Sequence, residues 1–204
     1  MQAKKKIMNK TKRKFLAVDI AECSIFVALM VAAAFIKLPL FPLVPLTFQT
    51  VVSVLSGLLL GWKKGAVSMS VYCFIGLIGI PVFADGGGIF YVLKPSFGYI
   101  LGFVLSAAVA GLISGRSGFP LWRYIIGALI ACLANYAIGI PYCLIAAKLL
   151  NVDDLLGLFI TGNLVFIPKD AALCIIAAVL AWRVLPIIER RNKKIGAKDG
   201  DKTK

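Results

Sequence analysis

Histidine is absent from all 204 residues, and only nine residues are acidic. The five cysteines (Cys23, Cys73, Cys132, Cys143, Cys174) lie singly inside apolar runs, and no two are spaced C-x-x-C. Without imidazoles or paired thiols, no metal site is expected, and the cysteines read as small packing residues. No serine, cysteine and histidine constellation exists for covalent catalysis. Asp153 and Asp154 are adjacent, so on a helix they would diverge by about 100° and could not cooperate as acid and base. A phosphate-binding loop is also missing: "GAKDGDKT" near the end has the wrong glycine spacing, and Gly200 precedes Asp201. The chain is therefore not expected to be an enzyme, to hydrolyse ATP or to carry a cofactor.

Charge is scarce too, at 16% against 60% hydrophobic residues, where a soluble domain carries about a quarter charged. What charge there is sits at the ends. Of the 23 basic residues, seven fall within 1–14 and seven within 190–204. Those tails lack interleaved aromatics and any recognisable nucleic-acid module, so solvated segments beside anionic lipid explain the net charge of +14. The apolar stretch from Phe15 is too long for a signal peptide and has no clear cleavage site.

The chain then divides into a basic tail (1–14), a membrane domain (15–188) and a second basic tail (189–204). Six apolar segments, near 15–38, 46–62, 65–83, 96–115, 122–147 and 166–187, predict an all-α polytopic membrane protein with six transmembrane helices. The second and third are the shortest, joined by a turn at Trp62-Lys63-Lys64-Gly65. Lys63, Lys64, Arg116 and Arg123 share a side with both tails, and Arg183 lies near it. The other side receives only Lys37, Lys94, Lys148 and Lys169. The positive-inside bias places both termini in the cytoplasm.

Three connections on the outer side are unusual. "KLPLFPLVPLTFQ" (37–49) has three prolines, "FADGGGIFYVLKPSFGY" (83–99) has three consecutive glycines, and 151–170 mixes carboxylates with apolar residues. Such loops are expected to fold onto something, because irregular backbone near membrane depth belongs against protein or a cavity. On the first span, Ala17, Ala21, Ser24, Ala28 and Ala32 recur at helical spacing, a stripe suited to close helix approach. Packing within the chain's own bundle and docking of a separate subunit both fit that stripe. The pairs Gly57/Gly61, Gly98/Gly102 and Gly111/Gly115 read as internal packing.

"PLVPLTFQT", "GLIGIPVFADGGG", "KPSFGYILGF" and "FIPKD" occur here in the order and spacing of the BioY family, which this sequence resembles over roughly 20–185. The resemblance implies the S-component fold of an energy-coupling-factor (ECF) importer in a prokaryotic plasma membrane. It implies biotin as the bound solute, with a membrane T component and two ATP-binding subunits as partners. Ala28-Leu29-Met30-Val31-Ala32 matches the family's T-component contact, with Ala21 and Ser24 on the same stripe. Asp170 stands where the family binds its ligand, the alternative being an N-cap of the last helix. Asp85, Gln49 and Asn135 are further candidates. Gly86 and Gly87 would let backbone approach the ligand, Phe83, Phe90 and Tyr91 would cover its apolar part, and Phe97 and Tyr99 open the next helix. The family's lysine after Asp170 is Leu173 here, so Lys94 or Lys169 is expected to supply the cation for the ligand's carboxylate. A related solute such as lipoate, or a membrane assembly protein without a solute, are the alternatives.

Overall fold

A computed structural model describes the backbone of residues 2–37, 47–115, 117–152, 154, 157, 159–160 and 165–201, and side chains from Ala17 to Arg190 within these. The proline-rich stretch 38–46, Arg116, Asp153 and the side chains of both basic tails lie outside the described residues. Helices α1 (Gln2–Phe35), α2 (Gln49–Leu77), α3 (Phe97–Ser114), α4 (Leu121–Leu149) and α5 (Phe166–Asp201) account for nearly all of it, with one 3₁₀ helix, Ile89–Leu93. Each of the five α-helices contains a segment long and apolar enough to cross a membrane.

Helix α2 is not straight. Gly61 leaves helical geometry (φ 80°, ψ 169°), and a Cβ placed on Gly65 would lie 2.9 Å from the Cα of Gly57. In an unbroken helix those two residues would be about 12 Å apart. Gln49 Nε2 donates to Tyr72 Oη at 2.7 Å, joining residues 23 apart in sequence. The two halves of α2 therefore run back to back. The reversal is at Gly61, one residue before the turn expected at 62–65, because glycine alone adopts that φ without strain.

The bundle is assembled on α2, which packs against α1, α3, α4 and α5, while α3 also packs on α4 and α4 on α5. Lipid offers helices no hydrophobic gain on association, so close approach through small residues holds the bundle together. A Cβ on Gly57 would fall 2.1 Å from the Ala107 carbonyl oxygen, one on Gly111 2.2 Å from Trp62 N, and one on Gly102 2.1 Å from the Asn135 side-chain oxygen. These glycine pairs thus serve internal packing. Gly127, Ala128, Ala131, Asn135, Gly139 and Cys143 give α4 a buried small-residue face.

One end of the bundle gathers the reversal, the α3–α4 connection and the far end of α5. There Lys64 Nζ pairs with Asp19 (3.0 Å) and Glu22 (2.6 Å) of α1, and Ser117 bonds Glu189. The other end holds Lys37, residues 78–97, and the start of α5, where Lys169 Nζ donates to Thr47 O at 2.7 Å. Lys64 thus lies at one end, and Lys37, Lys94 and Lys169 at the other.

Overpacking a contact of this kind costs about 1–3 kcal/mol. Gly57→Val is expected to lower the melting midpoint in detergent by roughly 3–10 °C for a chain of this size. An unchanged midpoint would mean that α2 and α3 do not touch at Gly57.

Candidate functional site

The glycine-rich connection is folded back against the end of α2. Gly88 N donates to Gly76 O at 2.7 Å, and Phe83 and Gly86 exchange backbone hydrogen bonds. Gly86 and Gly88 have φ of 111° and 104°, a region that L side chains avoid. A Cβ on Gly87 would meet Ile80 O at 2.3 Å, and the Phe83 ring occupies the space a Gly76 side chain would need. Phe83 is buried against Tyr72 (centroids 5.4 Å apart) and Tyr91 (4.6 Å). Lys37 Nζ clamps the turn from α1, pairing with Asp85 Oδ1 at 2.7 Å, and Lys94 Nζ donates to Asp85 O at 3.0 Å while lying over the Tyr91 ring. Burial raises the Tyr91 phenol above its ordinary pKa.

Beneath this connection lies a partly enclosed cavity of about 50 Å³. Gln49 and Thr50 line it from α2, Tyr99, Ile100 and Phe103 from α3, Tyr136 from α4, and Phe166, Lys169 and Asp170 from α5. Thr47, Ala84, Tyr91 and Ser96 complete the wall. The volume is below the roughly 300 Å³ of ligand pockets, so occupation by a vitamin-sized solute has to move the rim.

Asp170 is the charged residue of that wall that is 95% buried (5% exposed). Its Oδ2 accepts a hydrogen bond from Tyr136 Oη at 2.8 Å. Its Oδ1 lies 2.6 Å from Lys169 Nζ, yet among the described residues no donor is aligned for a hydrogen bond to it. The close distance makes the two an ion pair. Tyr136 is held in turn by Tyr99, ring centroids 5.8 Å apart and nearly perpendicular. Asp170 sits one turn inside α5, which begins at Phe166, so it is not the helix N-cap.

A family model described as BioY matches residues 4–190. The chain belongs to the BioY family. The "Probable biotin transporter BioY" of Lysinibacillus sphaericus is 42% identical to it, over 80% of this chain and 85% of its own. The "Biotin transporter BioY" of Thermotoga maritima is 33% identical, over 81% of this chain and 95% of its own. A crystal structure described as the S component for biotin from an ECF-type ABC transporter shares the fold, with a TM-score of 0.73 over 84% of this chain and 92% of that one, at 24% identity.

Of the residues expected in a BioY site, the cavity brings together Asp170, Gln49, Tyr99 and Lys169. Asp85 and Lys94 are not among the lining residues; they are bonded to each other through the Asp85 carbonyl. Gly86 and Gly87 are not among the lining residues; they dock the connection on α2. Phe97 packs against Tyr142, ring centroids 5.9 Å apart. Phe90 is 81% exposed and points away from the cavity. Asn135 is buried against Gly102 between α3 and α4, and among the described residues its amide finds no hydrogen-bond partner.

Sequence reasoning missed Tyr136, Thr47, Thr50, Ser96, Ile100, Phe103 and Phe166. Tyr136 carried one available signal: it is the neighbour of Asn135, the polar residue of that span which was singled out. One helical step of about 100° turns Tyr136 toward α5 and Asn135 toward α3.

On the other side of α1 the small-residue stripe is bare. Ala21, Ser24, Ala28 and Ala32 are exposed, while Phe26, Met30, Ala33 and Ala34 are buried. A groove beside the stripe is lined by Asp19, Cys23, Ser24, Val27 and Ala28 of α1 and by Lys64, Val67, Val71 and Ile75 of α2.

The glycine account has a direct check. Gly87→Val is expected to accelerate hydrogen exchange at the Gly86, Gly88 and Tyr91 amides by roughly tenfold or more, with α4 amides unchanged. Unaltered protection over 83–93 would show that the connection does not rely on this contact.

Proposed function

We propose that this chain is the solute-binding S component of an ECF-type importer and that its solute is biotin. The observation that carries the proposal is Asp170, a buried carboxylate held by Tyr136 and Lys169 in the wall of a cavity under the outer connections. A carboxylate there can accept a hydrogen bond from a ring N–H of the solute. Family membership and the names of its relatives point to the same solute. Asp170, Gln49, Tyr99 and Lys169 form the inner part of the site, with Asp85, Gly86, Gly87, Phe97 and Asn135 supporting its walls. Lys94, lying over the Tyr91 ring that lines the cavity, is the cation expected to meet the solute's carboxylate.

The chain is a multi-pass membrane protein. The halves of α2 each cross the membrane, giving six crossings in all, and both termini face the cytoplasm. The orientation rests on the basic residues gathered at the Lys64 end. The outer connections then close the cavity from the outside. The exposed stripe Ala21, Ser24, Ala28 and Ala32 with its adjoining groove is where a T component docks, and two ATP-binding subunits supply the energy.

Equilibrium binding of labelled biotin to the purified chain is expected to saturate in the nanomolar range, about −12 kcal/mol. Asp170→Asn is expected to weaken it roughly ten- to a hundredfold, the worth of a hydrogen bond to a charged acceptor. Competition by lipoate but not by biotin would reassign the solute, and no saturable binding of either would overturn the proposal. Separately, Ala28→Leu with Ala32→Leu is expected to abolish co-purification with the T component while leaving biotin affinity unchanged. Retained co-purification would move the docking surface elsewhere.

A further inference from the structure

The chain has three tryptophans, and each is followed directly by a basic residue: Trp62-Lys63, Trp122-Arg123 and Trp182-Arg183. All three indoles are exposed. Gln49, Tyr136 and Asp170 line one cavity and so mark a common level in the bundle. At about 1.5 Å per residue, Trp62 lies about 20 Å from Gln49 along the first half of α2, Trp122 about 21 Å from Tyr136 along α4, and Trp182 about 18 Å from Asp170 along α5. Three helices thus set their tryptophans at one depth, toward the end of the bundle where Lys64 pairs with Asp19 and Glu22. Indoles gathered at one depth mark the level where hydrocarbon gives way to headgroups.

The cations beside these tryptophans are not alike. Arg123 is engaged within the protein: its Nε donates to Ile113 O at 2.8 Å, and its guanidinium lies 3.7 Å from the centre of the Phe119 ring. Lys63 and Arg183 are exposed, and among the described residues neither forms an ion pair. Each lies by its own tryptophan, Lys63 Nζ 5.2 Å from the centre of the Trp62 ring and the Arg183 guanidinium 5.7 Å from that of Trp182. Arg183 is also bracketed by exposed apolar side chains, with Trp182 and Val184 beside it and Ile187 one turn on. A lipid-facing cation in such surroundings is costly without an anion. The described acids at this end are already engaged, Asp19 and Glu22 by Lys64 and Glu189 by Ser117. We propose that Trp62 with Lys63, and Trp182 with Arg183, are two binding sites for the headgroup of an anionic phospholipid. The cation pairs with a phosphate oxygen, and the indole N–H donates to the same headgroup. The cation beside Trp122 is already used, so Trp122 shares the depth without forming a site.

The chain has no other indoles, so tryptophan fluorescence reports directly on the lipid beside them. The full chain is placed in phosphatidylcholine vesicles carrying the same small fraction of brominated phosphatidylglycerol or brominated phosphatidylcholine, either of which quenches on contact. Trp122→Phe, which keeps both sites, is expected to be quenched about two- to fivefold more by the brominated phosphatidylglycerol, the preference that one surface cation gives. Adding Lys63→Gln and Arg183→Gln is expected to remove that excess. Trp62→Phe with Trp182→Phe, which keeps Trp122 alone, is expected to be quenched equally by the two lipids. Should the double charge variant fail to fold, Lys63→Gln in a chain that keeps only Trp62 gives the same comparison. The proposal is overturned if Trp122→Phe shows no excess, or if the excess survives loss of the cations. It is also overturned if Trp122 alone shows the same excess, since attraction by the basic tails at large would then account for it. No outcome involves biotin, so the functional reading above and this proposal stand or fall separately.

Discussion

A carboxylate inside an apolar bundle is tolerated only when its charge and lone pairs are met, and Asp170 is where this chain faces that requirement. Lys169 supplies the countercharge at 2.6 Å and Tyr136 supplies one hydrogen bond at 2.8 Å. Removing a partner from a buried charge costs far more than the pair gains on forming, so the three residues act as a unit. Their elements are fixed accordingly: α5 presents Asp170 and Lys169, α4 presents Tyr136, and α3 braces it through Tyr99.

The rest of the molecule keeps that unit in place and keeps it apart from the opposite surface. Close helix contacts through Gly57, Gly102 and Gly111 bring α2, α3 and α4 within reach of a single small cavity. The glycine connection is anchored on Gly76 and pinned from two sides by Lys37 and Lys94. Those lysine contacts are exposed, and such pairs contribute at most about 1 kcal/mol each; the backbone bonds and the buried Phe83 ring carry more of the closure. Helix α1 contributes nothing to the cavity wall among the described residues, and its exposed stripe and groove face away from it. The cavity and the α1 stripe are thus built on different helices, both of which pack against α2.

Much of this was legible in the sequence because lipid imposes simple rules. Long uncharged runs read as helices apolar enough to span, and glycines repeated at helical spacing read as contacts. Asp170 was legible through the family motif "FIPKD", since a charged residue at the edge of an apolar run is by itself commonly a solvated one. The three glycines were legible as special but not in role: they answer to the end of α2, a contact between segments that no local pattern encodes. Tyr136 lay inside an otherwise apolar run, where a hydroxyl aimed at a carboxylate 34 residues away leaves no periodic trace. Phe90 read as a cover for a ligand, yet the tight 3₁₀ turn sends Tyr91 inward and Phe90 out.

The central claim is that the buried carboxylate of Asp170 grips the ring of the solute. A structure of the chain with biotin bound tests this most directly. The account predicts a ureido nitrogen within hydrogen-bond distance of Asp170 Oδ1, under the 83–96 connection, with the carboxylate directed toward Lys94. Biotin seated in the α1–α2 groove, or turned so that its carboxylate meets Lys169 with the ring at the rim, would contradict it.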